Sequence, residues 1–210
     1  MPAKRAHPSQ RRQGRPQAGD GDATRVRIID AALFCFGNYG YRETSNRMVA
    51  DRADVTTGTI YHYFGSKSDL FREVHEITQR DIQARLADVK AEDFGLSESI
   101  EKMFAIFSIL KADRPQYTAF NSIVRFEEQR NPEIASTKID DDWRELYKKL
   151  AARGVKRGEI KSKDTRALEL VLDAIVLGIS QLGSEHSLEE SRECLRGFSL
   201  LFKGELLRAA

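Results

Sequence analysis

Thr56, Thr57, Gly58, Thr59, Tyr61 and His62 crowd into one short segment, and Lys67 follows closely. Nothing in their spacing resembles a catalytic set. Threonine offers a hydroxyl to base edges and a methyl to the thymine methyl, and glycine lets backbone approach a duplex closely. Tyrosine and histidine donate to phosphate oxygens, as do the free N–H groups at a helix start. Lys67 falls in the first turn of a predicted helix, where its charge opposes the dipole. A phosphate partner would offset that cost. The other chemistry-bearing residues are scattered. His7, His62, His75 and His186 show no metal-ligand spacing, and there is no Gly-rich phosphate loop or G-x-S-x-G elbow. Asp140, Asp141 and Asp142 are neighbours that fan apart by about 100° each on a helix, so they read as a solvated acidic turn. Cys35 and Cys194 sit among apolar residues and read as small hydrophobes. No metal, no cofactor and no enzymatic activity are expected.

The elements that position this segment are helices. From Thr24 onward apolar residues recur at helical spacing, with no convincing alternating strand and no internal repeat. Thr24 to Asn38 makes a first helix, stopped by Gly37, Asn38 and Gly40. A short helix from Thr44 or Ser45 to about Ala53 turns at Asp54-Val55 into a second, capped by Thr56 and ending near Phe64. Two short helices about a tight turn can set the second in a DNA major groove. Ser66, with Asp69 three places on, opens a longer helix to about Val89. Five more segments follow, near 97–111, 116–130, 133–154, 165–182 and 188–207, the last opened by a Ser187/Glu190 capping box. The expected fold is all-α, with about nine helices. It comprises a basic arm at 1–22, an N-terminal three-helix helix-turn-helix domain at 23–70, and a helical bundle at 71–210.

Composition bounds the class. The chain has 210 residues, 40% of them apolar and 31% charged, so it can bury a core. Two cysteines cannot build a disulfide framework, and no N-terminal apolar region reads as a secretory signal, so a reduced cytoplasmic setting is expected. The most apolar stretch, Leu170 to Ile179, contains Asp173 and is far shorter than the ~18 residues of a membrane span. The net charge of +2 hides a split: Lys4, Arg5, Arg11, Arg12 and Arg15 stand without any acid in residues 1–19. The module at 20–75, by contrast, holds slightly more acid than base. Either the arm lies along or in the minor groove and supplies the attraction, or it is a solvated tail.

Gly40-Tyr41-x-x-Thr44, followed by Val49-Ala50-x-x-Ala53-x-Val55-x-x-Gly58-x-Ile60-Tyr61-x-Tyr63-Phe64-x-Ser66-Lys67-x-x-Leu70, closely resembles the TetR-type transcriptional regulators. The resemblance is detailed over residues 24–75; beyond them only length and helical layout agree. It implies a homodimer on a palindromic double-stranded DNA operator, with a small-molecule inducer pocket and the dimer interface in the bundle. By motif position Thr57, Thr59, Tyr61 and His62 face the operator, Lys67 meets phosphate, and Thr44 caps the first helix of the pair. Arg47, Thr56 and Gly58 complete the DNA-facing set. Where family members often carry glycine at the turn, this chain has Asp54, a residue that tolerates a left-handed backbone.

Two further groupings lie in the bundle. Phe104, Phe107, Tyr117, Phe120, Trp143 and Tyr147, with Ser108 and Asn121 as orienting polar groups, suit an apolar ligand pocket; aromatic residues at helical spacing also suit plain core. Leu168, Val171, Leu172, Ile175 and Ile179 form a stripe on the helix at 165–182. Leu195, Phe198 and Phe202 form another on the last helix. Leu170, Ala174 and Leu177 make the adjoining face apolar too. Two such helices suit a two-fold four-helix interface, or burial within one chain. The leading reading is a ligand-responsive repressor. The alternative is an all-α enzyme or binding bundle in which the helix-turn-helix is incidental.

Overall fold

In a computed structural model the described residues run from 18 to 207 and are all-helical. The helices are α1 (Ala18–Glu43), α2 (Asn46–Ala53), α3 (Thr57–Phe64), α4 (Lys67–Arg85), α5 (Ala87–Ala91), α6 (Leu96–Asp113), α7 (Pro115–Arg130), α8 (Thr137–Lys156), α9 (Thr165–Glu185) and α10 (Leu188–Lys203). Single 3-10 turns occur at Pro132–Ile134 and Ser162–Asp164. Ten α-helices replace the expected nine because the helix opened by Ser66 breaks at Leu86, whose φ of −84° and ψ of 2° interrupt it.

Helix α1 departs most from expectation at both ends. It begins at Ala18, inside the stretch assigned to the arm, and the rest of the arm lies outside the described residues. Tyr63 reaches back from α3 and donates to the Gly21 carbonyl at 3.1 Å, tying down that first turn. At the other end Gly37 and Asn38 stay helical, and only Gly40 kinks the chain, with φ 80° and ψ 171°. Gly37 is there for approach rather than termination. A Cβ on it would stand 3.1 Å from the Phe120 backbone nitrogen, so α1 and α7 cross almost backbone to backbone.

One core runs through both parts of the molecule. Ile28, Phe36, Ile60, Leu70 and Phe71 fill the N-terminal unit, and Phe71 meets Phe120 of α7 at 5.1 Å between ring centres. Burying a side chain of this size contributes about 1.5–3 kcal/mol. The N-terminal unit therefore rests on α7 through α1 and α4, and α7 in turn packs on α9. Helix α4 is continuous across residue 70, so the boundary between the two units falls inside one rigid rod.

Candidate nucleic-acid interface and ligand cavity

Caps fix the two short helices. Ser45, not Thr44, caps α2: its hydroxyl accepts from the Met48 N–H at 3.2 Å. Thr44 is 1% exposed and donates its hydroxyl to the Gly40 carbonyl at 2.8 Å, so it braces the kink and faces no partner. Asp54 takes the left-handed conformation at φ 54°, ψ 54°, and the turn forms as expected with aspartate in place of glycine. Thr56 caps α3, accepting from the Thr59 N–H at 3.1 Å, while the two hydroxyls share a 2.8 Å hydrogen bond.

Helix α3 is anchored on one side and open on the other. Ile60 and Phe64 are buried, whereas Thr56, Gly58, Tyr61 and His62 are exposed and Thr57 and Thr59 are half-buried. Tyr61 is 54% exposed, unusual for a large aromatic side chain in a helix this short. Gly58 would meet only the Thr56 hydroxyl if it carried a Cβ, so nothing in the protein requires glycine there. Arg47 projects from α2 beside Asp51, at 3.8 Å, and both are highly exposed.

Lys67 is used differently from the expectation. Its ammonium donates to the carbonyls of Tyr41 at 2.9 Å, Thr44 at 3.0 Å and Arg42 at 3.4 Å, and lies 4.4 Å from the centre of the Tyr41 ring. Burial pulls its pKa below the ordinary lysine value. The charge that seemed to need a phosphate has its partners in the protein: the carbonyls around the end of α1. Lys67 stitches α4 to that junction.

The sequence of residues 28–74 matches the family described as bacterial regulatory proteins, tetR family. Residues 28–74 are a TetR-type helix-turn-helix domain. The chain is 24% identical over 153 residues to the HTH-type transcriptional regulator YhgD of Bacillus subtilis, covering 69% of this chain and 76% of that one. It is 44% identical over 68 residues to the HTH-type transcriptional repressor KstR of Mycolicibacterium smegmatis, covering 30% and 33% of the two chains. Among solved structures, a tetR-family regulatory protein from Rhodococcus RHA1 superposes with a TM-score of 0.71 at 18% identity, covering 90% of this chain and 98% of that one. FadR from Bacillus subtilis, in complex with stearoyl-CoA, superposes with 0.66 at 22% identity, covering 86% and 98%. These last two likenesses concern the fold. Relatives of the chain are named as transcriptional regulators, and the chain's helix-turn-helix is a DNA-binding element.

Within the bundle that follows this domain lies a cavity of about 330 Å³, between α4, α6, α7, α8, α9 and α10. Phe107, Ser108, Tyr117, Asn121, Trp143 and Tyr147 line it, as expected. Phe104 and Phe120 do not. Phe104 packs on Phe198 at 6.0 Å, and Phe120 is fully buried between Phe71 and His75. Both are core because their helix faces turn toward α10 and α4 respectively. Phe107, Trp143 and Tyr147 form a continuous aromatic wall, with ring centres 6.3 Å and 5.9 Å apart. Burial pushes the Tyr147 phenol well up, so it stays neutral. Trp143 donates its indole N–H to Gln79 at 2.9 Å, and Gln79 donates to Asn121 at 2.9 Å. The wall is more polar than the aromatic residues alone suggested: His75, Gln79, Arg125, Glu128 and Asp173 contribute to it. Sequence reasoning missed these because single polar residues on amphipathic helices look like solvent-facing positions.

The expected dimer stripe turns inward. Leu172, Ile175 and Leu195 are buried within the single chain, and Leu168, Ile179, Phe198 and Phe202 are half-buried against its core. Ile179 and Leu195 also line the cavity. Only Val171 of that set is exposed. The stripe was displaced because α9 is apolar nearly all round, and its most continuous stripe serves α7 and α8. The face left outside carries Val171 and Ala174, flanked by Leu170 and Leu177, which are exposed and also line the cavity, with Leu201 exposed on α10. Gly178 and Gly197 would meet nothing if they carried a Cβ. Among the described residues no group of three or more histidine, cysteine or acidic side chains is placed to hold a metal, and no helix is long and apolar enough to cross a membrane.

Proposed function

We propose that the chain is a homodimeric repressor that binds a palindromic operator and leaves it when a small, largely apolar inducer enters the bundle. The exposure of Tyr61 and His62 on a helix held from behind by Ile60 and Phe64 carries this reading. Gly58, Thr57 and Thr59 sit at the front of the same helix, where base edges are reached in helix-turn-helix docking. Arg47 and the Thr56 end of α3 serve phosphates. Lys67 acts here as a positioning residue.

Two copies are needed to read a palindrome, and the apolar outer face of α9 with Leu201 of α10 is the surface suited to join them. Leu170, Val171, Ala174 and Leu177 replace the inward stripe as interface residues. Helix α7 is the coupling element. Tyr117, Asn121 and Glu128 line the cavity, while Phe120 touches Gly37 and Phe71, and Glu127 accepts the Tyr41 N–H at 3.0 Å. A ligand that shifts α7 therefore shifts the seat of α1 and α4 and alters the spacing of the two α3 helices. A differential affinity of ~1–3 kcal/mol between bound and released forms is enough. The solved FadR relative, complexed with stearoyl-CoA, supports a ligand role for the bundle.

A gel shift with DNA upstream of the chain's own gene tests the reading. A specific complex at physiological salt, lost in Tyr61→Ala/His62→Ala with the protein still folded and dimeric, is the expected result. Absence of any sequence-specific complex would overturn it. The basic arm neutralises phosphates in this scheme: deleting residues 1–17 should make the dependence of affinity on salt shallower by ~0.9 for each phosphate that the arm had paired. An unchanged slope removes the arm from the interface.

A further inference from the structure

Most polar groups of the cavity wall are spent within the protein. Trp143, Gln79 and Asn121 form one chain of hydrogen bonds at 2.9 Å each, and His75 Nδ1 faces Glu128 Oε1 at 3.4 Å. Lys111 donates to the carbonyls of His186 and Ser187 at 2.6 Å and 3.0 Å. Tyr147 of α8 is different. Its side chain is 3% exposed and lines the cavity, yet its hydroxyl makes no hydrogen bond among the described residues. Nor is that oxygen sealed in the core: it keeps accessible surface, which on so buried a side chain opens into the cavity. Buried hydroxyls nearly always find a partner, and one left open in a cavity marks where a ligand group belongs.

The surroundings say what that group must be. Burial first, and then the Asp173 carboxylate, push the phenol pKa up, and Arg125 does not undo the shift. Tyr147 therefore keeps its proton and needs an acceptor. The same field disfavours negative charge at this oxygen, so an ionised ligand group is poorly received there. Asp173 is itself engaged by Arg125 at 3.5 Å. Two hydroxyls facing each other share one hydrogen bond and leave one proton unspent, which costs an alcohol part of its gain. A carbonyl oxygen accepts and brings no proton to place. The Phe107 and Trp143 rings supply the apolar surface beside it, and the cavity lies at the small end of the ~300–1,000 Å³ range of ligand sites.

We propose that the cavity takes a small neutral apolar molecule bearing a carbonyl group, as in a ketone, ester or lactone, whose oxygen accepts from the Tyr147 hydroxyl. This rests on the reading of the bundle cavity as the inducer site. Trp143 is the sole tryptophan of the chain and its ring centre lies 5.9 Å from that of Tyr147, so its fluorescence reports occupancy. Three non-fluorescent probes of one shape separate the possibilities: 2-decalone, decahydro-2-naphthol and decahydro-2-naphthoic acid. The ketone should change Trp143 emission saturably and bind about five-fold tighter than the alcohol, with the acid weaker still, the effect of one neutral hydrogen bond. Tyr147→Phe removes only the oxygen, and should weaken the ketone about five-fold. The unliganded variant should melt no lower than the parent, because the hydroxyl has no partner in the fold to lose. A lower midpoint would mean that the hydroxyl is bonded within the core, and overturns the proposal. So does an alcohol or acid that binds as tightly as the ketone, a ketone affinity unchanged in the variant, or no binding of any probe. A gel shift of the unliganded protein, run alongside, keeps the two readings apart. A specific DNA complex without carbonyl preference overturns the ligand class alone, whereas loss of the DNA complex overturns the regulator.

Discussion

Lys67 illustrates how one side chain can satisfy a sequence pattern for a reason the pattern does not display. Its hydrogen bonds to the carbonyls of Tyr41, Arg42 and Thr44 predict a structural phenotype. Lys67→Met should lower stability to urea by about 1–2 kcal/mol while leaving the salt dependence of DNA binding unchanged. A slope shallower by ~0.9 would restore it to the phosphate set. Gly40, just before these carbonyls, combines a positive φ with a close neighbour. A Cβ there would lie 2.7 Å from Glu127 Oε1, the atom that accepts the Tyr41 N–H. Gly40→Ala should therefore cost at least about 1–3 kcal/mol in the same titration, and an unperturbed midpoint would show that the kink relaxes freely. Thr44 and Ser45 show the limit of reading caps from sequence. Both are good N-cap residues, and only the direction of the chain after Gly40 decides that Ser45 takes the position while Thr44 turns inward.

Most of the elements were legible because their signals are local. Thr56, Ser66 and Ser187 cap the helices they were expected to cap, and the Ser187/Glu190 box closes in both directions. The α2–turn–α3 unit, the break before Pro115 and the helices of the bundle follow from periodicity alone. What was not legible depends on a partner element. Gly37 looks like a stop signal, yet α7 needs it to be small. Isolated-helix propensity predicts that Gly37→Ala stabilises α1 by about 1 kcal/mol. The approach to the Phe120 backbone reverses the sign, because the neighbour is a rigid helix and not a flexible side chain. Thermal melting of this variant should show a lower midpoint; a higher one would mean that α7 yields. The inward stripe of α9 was equally invisible, since a helix apolar on nearly every face does not declare which face meets its own chain. In the cavity the aromatic wall was readable, whereas the His75–Glu128 contact joins two helices distant in sequence.

For the molecule as a whole, the dimer proposal rests on the outer face of α9. Val171 is 46% exposed there. Val171→Glu should convert the dimer to monomer in light scattering while leaving the helix content unchanged. It should also weaken operator binding much more than binding to a half-site. A dimer that survives would move the interface elsewhere. The two adjacent glutamates of α7 have a wider consequence. Glu127 holds the Tyr41 N–H and Glu128 borders the cavity, one residue and about 100° of helix rotation apart. The junction and the cavity thus share a single rigid lever, and a lever can be pushed from either end. Whatever factor the ligand takes from operator affinity, the operator must take from ligand affinity. Titrating a small apolar probe that enters the cavity, read by the fluorescence of Trp143 in its wall, with and without saturating operator measures that coupling from the other side. Equal affinities would leave α7 as scaffold alone. A matching loss would mean that the promoter itself sets the concentration of signal at which this regulator lets go.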